Sequence, residues 1–233
     1  MMRTIMTQPD SPQKAVSPWT IWIPIIMIML GGVVFYNYLM QQSLKRDKDR
    51  PPYLGRLEKD LELVERNGKT VHLNDIRGKV IVAGYVYTRC PRGCAIVVSK
   101  MKKLYDEFGN DPAIQFLSFT VDPDDTPQIL SEFATRFGIT KDNWWFVNGP
   151  KEVVRNYLTF QFKFAGVKEM PVAERLNPDD KFLHDMKVAL VDHKGNIRGH
   201  YDIANFDPEY EAFWAEKIRK DLKFILAEQK AGK

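Results

Sequence analysis

The stretch KVIVAGYVYTRCPRGCAIVVSKMKKLYDEF, residues 79–108, decides the fold. Its first ten residues, 79–88, form an unbroken β-prone run with three Val and two Tyr. Such a run, without polar alternation, marks a strand buried on both faces. From Ala95 the period changes. Ile96, Val97, Met101, Leu104, Tyr105 and Phe108 fall at spacings of three and four, one face of an amphipathic helix. Between strand and helix stands Cys90-Pro91-Arg92-Gly93-Cys94.

Working outward, Asn67-Gly68 separates two short β-prone runs in LELVERNGKTVHL, the signature of a type I′ hairpin. IQFLSFTV (114–121) reads as a second buried strand, and Asp125-Thr126-Pro127 opens a helix with a capping residue before proline. WWFVNG (144–149) predicts a short strand and a helix follows Pro150. KVALVDHKGNIRGHYD (187–202) reads as a hairpin turning at Lys194-Gly195, and residues 208–230 as a long amphipathic helix. Strands alternating with helices predict an α/β domain around a central mixed β-sheet. The cysteine pair at the strand-to-helix turn makes that fold thioredoxin-like.

No charged residue occurs between Lys14 and Lys45. Within that gap WTIWIPIIMIMLGGVVFYNYLM (19–40) would span about 33 Å as a helix, enough for a bilayer core of about 30 Å. Trp19 and Trp22 flank one end, Tyr36 and Tyr38 the other. The run is longer than a signal-peptide core and lacks a small-residue cleavage site, so it reads as one uncleaved transmembrane anchor. The expected organisation is a tail at 1–18, the anchor at 19–40, a charged Pro51-Pro52 linker at 41–55 and the domain at 56–233. The basic residues after the anchor outnumber those before it, which by itself places the domain in the cytoplasm. That rule weakens for long domains.

Of the 233 residues 44% are apolar and 27% charged, a globular balance. Lys and Arg number 34 against 30 acidic residues, a net +4 spread along the chain, too mild for a nucleic-acid binder. Two cysteines exclude a disulfide scaffold, a four-cysteine zinc site and an iron–sulfur cluster held by four thiolates. Thiol chemistry therefore uses Cys90 and Cys94 together. Both stand at a helix start, where unpaired N–H groups stabilise a thiolate, and Arg92 adds positive charge. Two such thiolates can close to a disulfide or, with one imidazole, hold Cu(I) and Cu(II).

Four histidines could supply that imidazole. His72 reads as a surface strand residue, His193 as a solvated turn residue, and His200 as half exposed near a strand end. His184 stands just before a buried strand, and spacing alone does not choose among the four. Asp122, Asp124 and Asp125 fit a turn and a helix cap better than a hard-metal cluster. Trp144-Trp145 fits core packing. Met170 is the one methionine outside the anchor and helix core placed to add a metal contact.

YVYTRCPRGC, then FTVDPDDTPQILSEFATRFG, then His184 eleven residues before Gly195, resembles the Sco/SenC family over about residues 56–205. These are membrane-anchored, thioredoxin-like copper proteins of cytochrome c oxidase assembly. The resemblance implies that Cys90, Cys94 and His184 are metal ligands and Cys90 and Cys94 a redox-active pair. It implies copper as cofactor and, as partner, cytochrome c oxidase subunit II or another copper protein. It also puts the soluble domain outside the cytoplasm, on the periplasmic side of the inner membrane, with the mitochondrial inner membrane as alternative. Three positions depart from the family pattern: Ala95 stands where proline is usual, Arg92 and Gly93 differ from the common forms, and Leu183 rather than Asp precedes His184, with Asp185 following. Two other readings of the same residues remain open. One is a thiol–disulfide oxidoreductase that carries no metal; the other is a non-catalytic binding module on a membrane stalk.

Overall fold

The computed structural model describes residues 17–48, 50–93 and 95–232. One unit holds the N-terminal helix α1 (Trp19–Lys48) and the other begins at Pro51. Helix α1 contains a 24-residue segment, Trp19–Gln42, long and apolar enough to cross a membrane, with no part of it buried. The helix continues through residues 41–48, so the linker expected at 41–55 is helical over its first half.

The second unit runs β1 (Gly55–Arg56), β2 (Glu62–Glu65), β3 (Thr70–His72), β4 (Val80–Val86), α2 (Ala95–Phe108), β5 (Ile114–Thr120), α3 (Pro127–Arg136), β6 (Trp144–Asn148), α4 (Lys151–Phe160), β7 (Lys168–Glu169), β8 (Phe182–Leu183), β9 (Val188–Val191), β10 (Asn196–Tyr201) and α5 (Pro208–Lys230). Eight strands form one sheet in the order β1-β10-β9-β4-β5-β6-β2-β3, and β7 pairs with β8 apart from it. Strands β4, β5 and β6 are parallel, while β9 runs antiparallel to β4. The expected mixed sheet is present.

Strand β4 is central, and all seven of its residues are buried. Val80, Val82 and Val86 face a core closed by α2, α3 and α5, whereas Ile81, Ala83 and Tyr85 face a second core closed by α4 with Phe162 and Phe164. Burial on both faces is why the run shows no polar alternation. Pro127 opens α3 behind Thr126, whose hydroxyl accepts the Ile129 N–H, so the N-cap is Thr126. The β2–β3 hairpin departs from the type I′ expectation. Only Gly68 has positive φ, at 82°, and its N–H donates to Glu65 O at 2.7 Å. A type I′ turn needs two central residues at positive φ, so Asn67 stays on the ordinary side and only the glycine enters the left-handed region.

Arg198, which carries no local sequence signal, is fully buried at an irregularity in the β10–β9 register. Its Nη1 donates to Asp192 at 3.0 Å and to Glu228 at 2.9 Å, and its Nη2 to the Pro51 carbonyl at 3.0 Å. The guanidinium also lies 4.2 Å from the Tyr53 ring centroid. One cation thus ties the start of the domain, the β9–β10 turn and α5 together. Asp192→Ala removes one of its two carboxylates and the acceptor of the Lys194 and Asn196 N–H groups, and should lower unfolding free energy by about 3 kcal/mol, the low end of what breaking a buried pair costs because Glu228 remains. Chemical denaturation followed by tryptophan fluorescence measures it. An unchanged midpoint would mean that neither the cation nor the β9–β10 turn depends on the Asp192 carboxylate.

Candidate metal centre

The chain leaves β4 at its C-terminal end through a turn in which the Cys90 N–H meets the Tyr87 carbonyl at 3.3 Å. Cys90 is half-buried against the core that contains Tyr85 and Tyr87. Its sulfur is disulfide-bonded, and the chain has one other cysteine, Cys94. Cys94 lies outside the described residues. Gly93 has φ of 86°, a conformation that favours glycine, and its carbonyl accepts the Ile96 N–H as α2 begins. The glycine that departs from the common family form thus answers a backbone requirement of this turn.

His184 reaches the same edge from the opposite direction. Val188 of β9 pairs antiparallel with Gly84, so the residues before Val188 run past the end of β4 toward the Cys90 turn. The His184 ring lies 5.5 Å from the Tyr85 ring, centroid to centroid. Its Nδ1 is 2.8 Å from the backbone carbonyl oxygen of Asp185. A carbonyl only accepts, so Nδ1 carries the proton and the lone pair is left on Nε2. The Asp185 carboxylate instead accepts the N–H groups of Ala165 and Lys187, at 3.1 and 3.0 Å. A backbone carbonyl therefore does the orienting that an acidic neighbour would otherwise do. Burial pushes the His184 imidazolium pKa down, keeping the ring in the neutral form that can ligate a metal.

The turn that bears Cys90 is bonded at several points to the segment that leads to His184. Arg92 Nε lies 2.9 Å from both oxygens of Asp180, its Nη2 lies 2.7 Å from Oδ2, and Nη2 also donates to Glu174 O at 3.2 Å. The Asp180 side chain is 0% exposed and Arg92 36%. The guanidinium, then the Leu176 N–H, holds the Asp180 carboxyl below its usual range. Tyr87 adds its hydroxyl to Asp179 O and to the Lys181 N–H. The expectation that Arg92 lends its charge to a thiolate is corrected: Asp180 takes the charge.

Two buried aspartates hold the turn from its other side. Asp122 pairs with Arg89 at 2.6 Å, and Asp125 accepts the Thr88 and Thr120 hydroxyls at 2.6 and 2.5 Å. Burial raises the Asp125 pKa. Asp122 also forms the expected turn, accepting the Asp124 N–H, but the helix cap assigned to this cluster belongs to Thr126. Sequence reading missed the anchoring role of these aspartates, because Thr88 and Arg89 lie more than 30 residues away in sequence.

The other candidates sit elsewhere. His72 Nδ1 is 3.1 Å from Asp60 at the surface, and His200 Nε2 meets Phe162 O at 2.7 Å. His193 is half-buried in the β9–β10 turn rather than solvated. Met170 is buried, with its N–H on Lys181 O, and Trp144 is buried with its indole N–H on Ser118. Among the described residues no three His, Cys, Asp or Glu side chains form a metal-holding group, and Cys94 is not among them.

Arg92→Met should free the 174–181 segment. Its amide hydrogen exchange should speed up by roughly fivefold, the equivalent of a part-exposed ion pair, with partial recovery in Arg92→Lys. Unchanged exchange in the methionine variant would show that the Tyr87 bonds suffice.

A family model described as SCO1/SenC matches residues 51–222. The SCO1 protein homolog of Bacillus subtilis is 25% identical over 140 residues, which cover 59% of this chain and 69% of that protein. A SCO1/SenC family lipoprotein of Bacillus anthracis superposes with a TM-score of 0.59 at 26% identity, covering 73% of this chain and 98% of that one. ScoI of Bradyrhizobium japonicum, solved with copper bound, superposes with a TM-score of 0.54 at 20% identity, covering 69% and 99%, a likeness of fold. The mixed sheet between helices, with a cysteine turn at the end of its central strand, is the thioredoxin-like fold of these proteins. With the family model spanning nearly all of the unit that begins at Pro51, the chain belongs to the SCO1/SenC family.

Proposed function

We propose that this chain is a membrane-tethered copper carrier in which Cys90, Cys94 and His184 hold the ion and pass it to a copper protein, the dinuclear copper site of cytochrome c oxidase subunit II being the expected recipient. The observation that carries this reading is His184. Simple thiol exchange has no use for an imidazole, yet here a ring held neutral, with its Nδ1 proton on the Asp185 carbonyl, stands at the edge from which the Cys90 turn emerges. Two thiolates and one imidazole nitrogen suit Cu(I) and tolerate Cu(II). Copper is the ion bound in the ScoI structure that shares this fold. Release proceeds by ligand exchange, the partner's thiolates replacing those of Cys90 and Cys94 one at a time.

A second reading is favoured by the disulfide at Cys90. As a thiol–disulfide oxidoreductase, the chain would reduce a partner's disulfide by attack of one thiolate, with the second closing on the mixed disulfide. The two readings separate on the metal. The reduced chain should bind one copper ion, and Cu(II) should produce intense sulfur-to-copper charge-transfer absorption. Cys90→Ser should abolish the band, and His184→Ala should weaken affinity by at least about tenfold, since even losing an outer partner costs that much. His184→Ala binding Cu(II) with unchanged spectrum and affinity would leave thiol exchange as the better account.

For location we propose that the apolar segment anchors the chain in the inner membrane and that the domain faces the periplasm. Long domains cross regardless of flanking charge. A reporter enzyme that works only in the periplasm, fused after Lys233, should be active; a silent fusion at normal expression would put the domain in the cytoplasm.

A further inference from the structure

At the end of the sheet opposite Cys90 lies a cleft of about 620 Å³. It opens where β4 begins and where the β9–β10 hairpin turns. Its size falls within the roughly 300–1,000 Å³ typical of small-molecule sites. Five cationic side chains line it: Arg56, Lys59, Arg77, Lys79 and Lys194. They come from three separate stretches of the chain, 56–59, 77–79 and the β9–β10 turn, brought together only by the fold. The buried Leu73, Ile76 and Ile81 supply an apolar floor.

The charges in this cleft are unbalanced. Two acidic residues line it, Glu58 and Asp192. The Asp192 carboxylate is already engaged by Arg198 and by the N–H groups of Lys194 and Asn196. None of the five cations forms an ion pair among the described residues; Lys79 alone has a side-chain partner, the Gln115 amide oxygen at 3.4 Å. Like charges held around a concave wall repel one another and focus a positive potential into the space between them. His193 also lines the cleft, and its Nδ1 is buried with no hydrogen-bond partner among the described residues. Buried polar atoms in native proteins are normally satisfied, so such an atom calls for a partner from outside the chain or a water.

We propose that this cleft binds a phosphate-bearing anion, with Arg56 and Arg77 gripping the phosphate oxygens and the Leu73–Ile76–Ile81 floor receiving an attached carbon moiety. Guanidinium groups match phosphate oxygens in bidentate geometry, and ammonium groups add charge without direction. An apolar floor beneath a cationic rim suits an amphiphilic anion better than a bare inorganic ion. Two sources offer this chemistry, a phospholipid headgroup and a free phosphate compound. In sequence, Arg56 follows the last residue of the apolar segment, Gln42, by fourteen residues.

Lysine acylation of the full chain, read residue by residue by mass spectrometry, tests the proposal. The chain is reconstituted in phosphatidylcholine discs and acylated with and without inorganic phosphate, against sodium chloride of equal ionic strength. It is also acylated in discs containing phosphatidylglycerol and no phosphate. Lys168, which does not line the cleft, is the internal reference. With phosphate at three times its dissociation constant, acylation of Lys59 and Lys194 should slow by about fourfold by mass action while Lys168 is unaffected. The same selective slowing in phosphatidylglycerol discs alone identifies the headgroup source, and slowing by phosphate alone identifies a free compound. Arg56→Ala/Arg77→Ala should abolish the protection, and Lys194→Glu, in an exposed turn, should reduce it at Lys59. No slowing in any arm, equal slowing at Lys168, or full protection in the double variant would overturn the proposal. None of these readouts involves Cys90, His184 or copper, so they stand apart from the metal reading.

Discussion

Everything in the domain is arranged around a strand buried along its whole length. All seven residues of β4 are buried, with helices α2, α3 and α5 on one face and α4 on the other. A strand enclosed in this way offers side chains to a ligand only at its two ends. Its C-terminal end feeds the cysteine turn, and its N-terminal end opens into the cationic cleft. The parallel neighbours β5 and β6 make the distinction sharper, since their loops leave from the same end as Cys90 and bring Asp122 and Asp125 to it. This agrees with the general placement of sites at the carboxyl ends of strands in α/β sheets.

At the C-terminal end, order is imposed by polar contacts between loops rather than by secondary structure. Arg92 bonds to Asp180, Tyr87 to residues 179 and 181, Arg89 to Asp122, and Thr88 to Asp125. Buried charges persist in proteins when they are paired and hydrogen-bonded. Asp122 and Asp180 meet that condition through Arg89 and Arg92 of the turn that bears Cys90, and Asp125 is hydrogen-bonded by Thr88 of the same turn. The turn and the His184 segment are consequently held to the same scaffold, which is what a site needs if its ligands come from distant parts of the chain.

His184 shows how a family pattern can be met by different atoms. The residue before it is Leu183, and the carboxylate of Asp185 is occupied by two backbone N–H groups. The backbone carbonyl of Asp185 nevertheless holds the Nδ1 proton. The tautomer with its lone pair on Nε2 depends on an acceptor at Nδ1, not on that acceptor being a carboxylate. What differs is the charge beside the ring, since a neutral carbonyl raises ligand basicity less than an anion would.

The sequence alone was enough for the order of the main elements, because periodicity and caps are local. The helices at 95–108 and 208–230 and the strands beginning at 114 and 144 stand where the pattern put them. It also sufficed for the cysteine motif and for the family, since the residues between Tyr85 and Gly138 occur as contiguous runs. The tertiary structure alone decided what depends on residues far apart in sequence: the pairing of Arg92 with Asp180, the anchoring of the turn by Asp122 and Asp125, the burial of Arg198 and the gathering of cations in one cleft. A charged side chain carries no periodic signal of its partner. Whether it is solvated, paired or left to bind a ligand is settled only when the chain closes and fixes how much water it keeps.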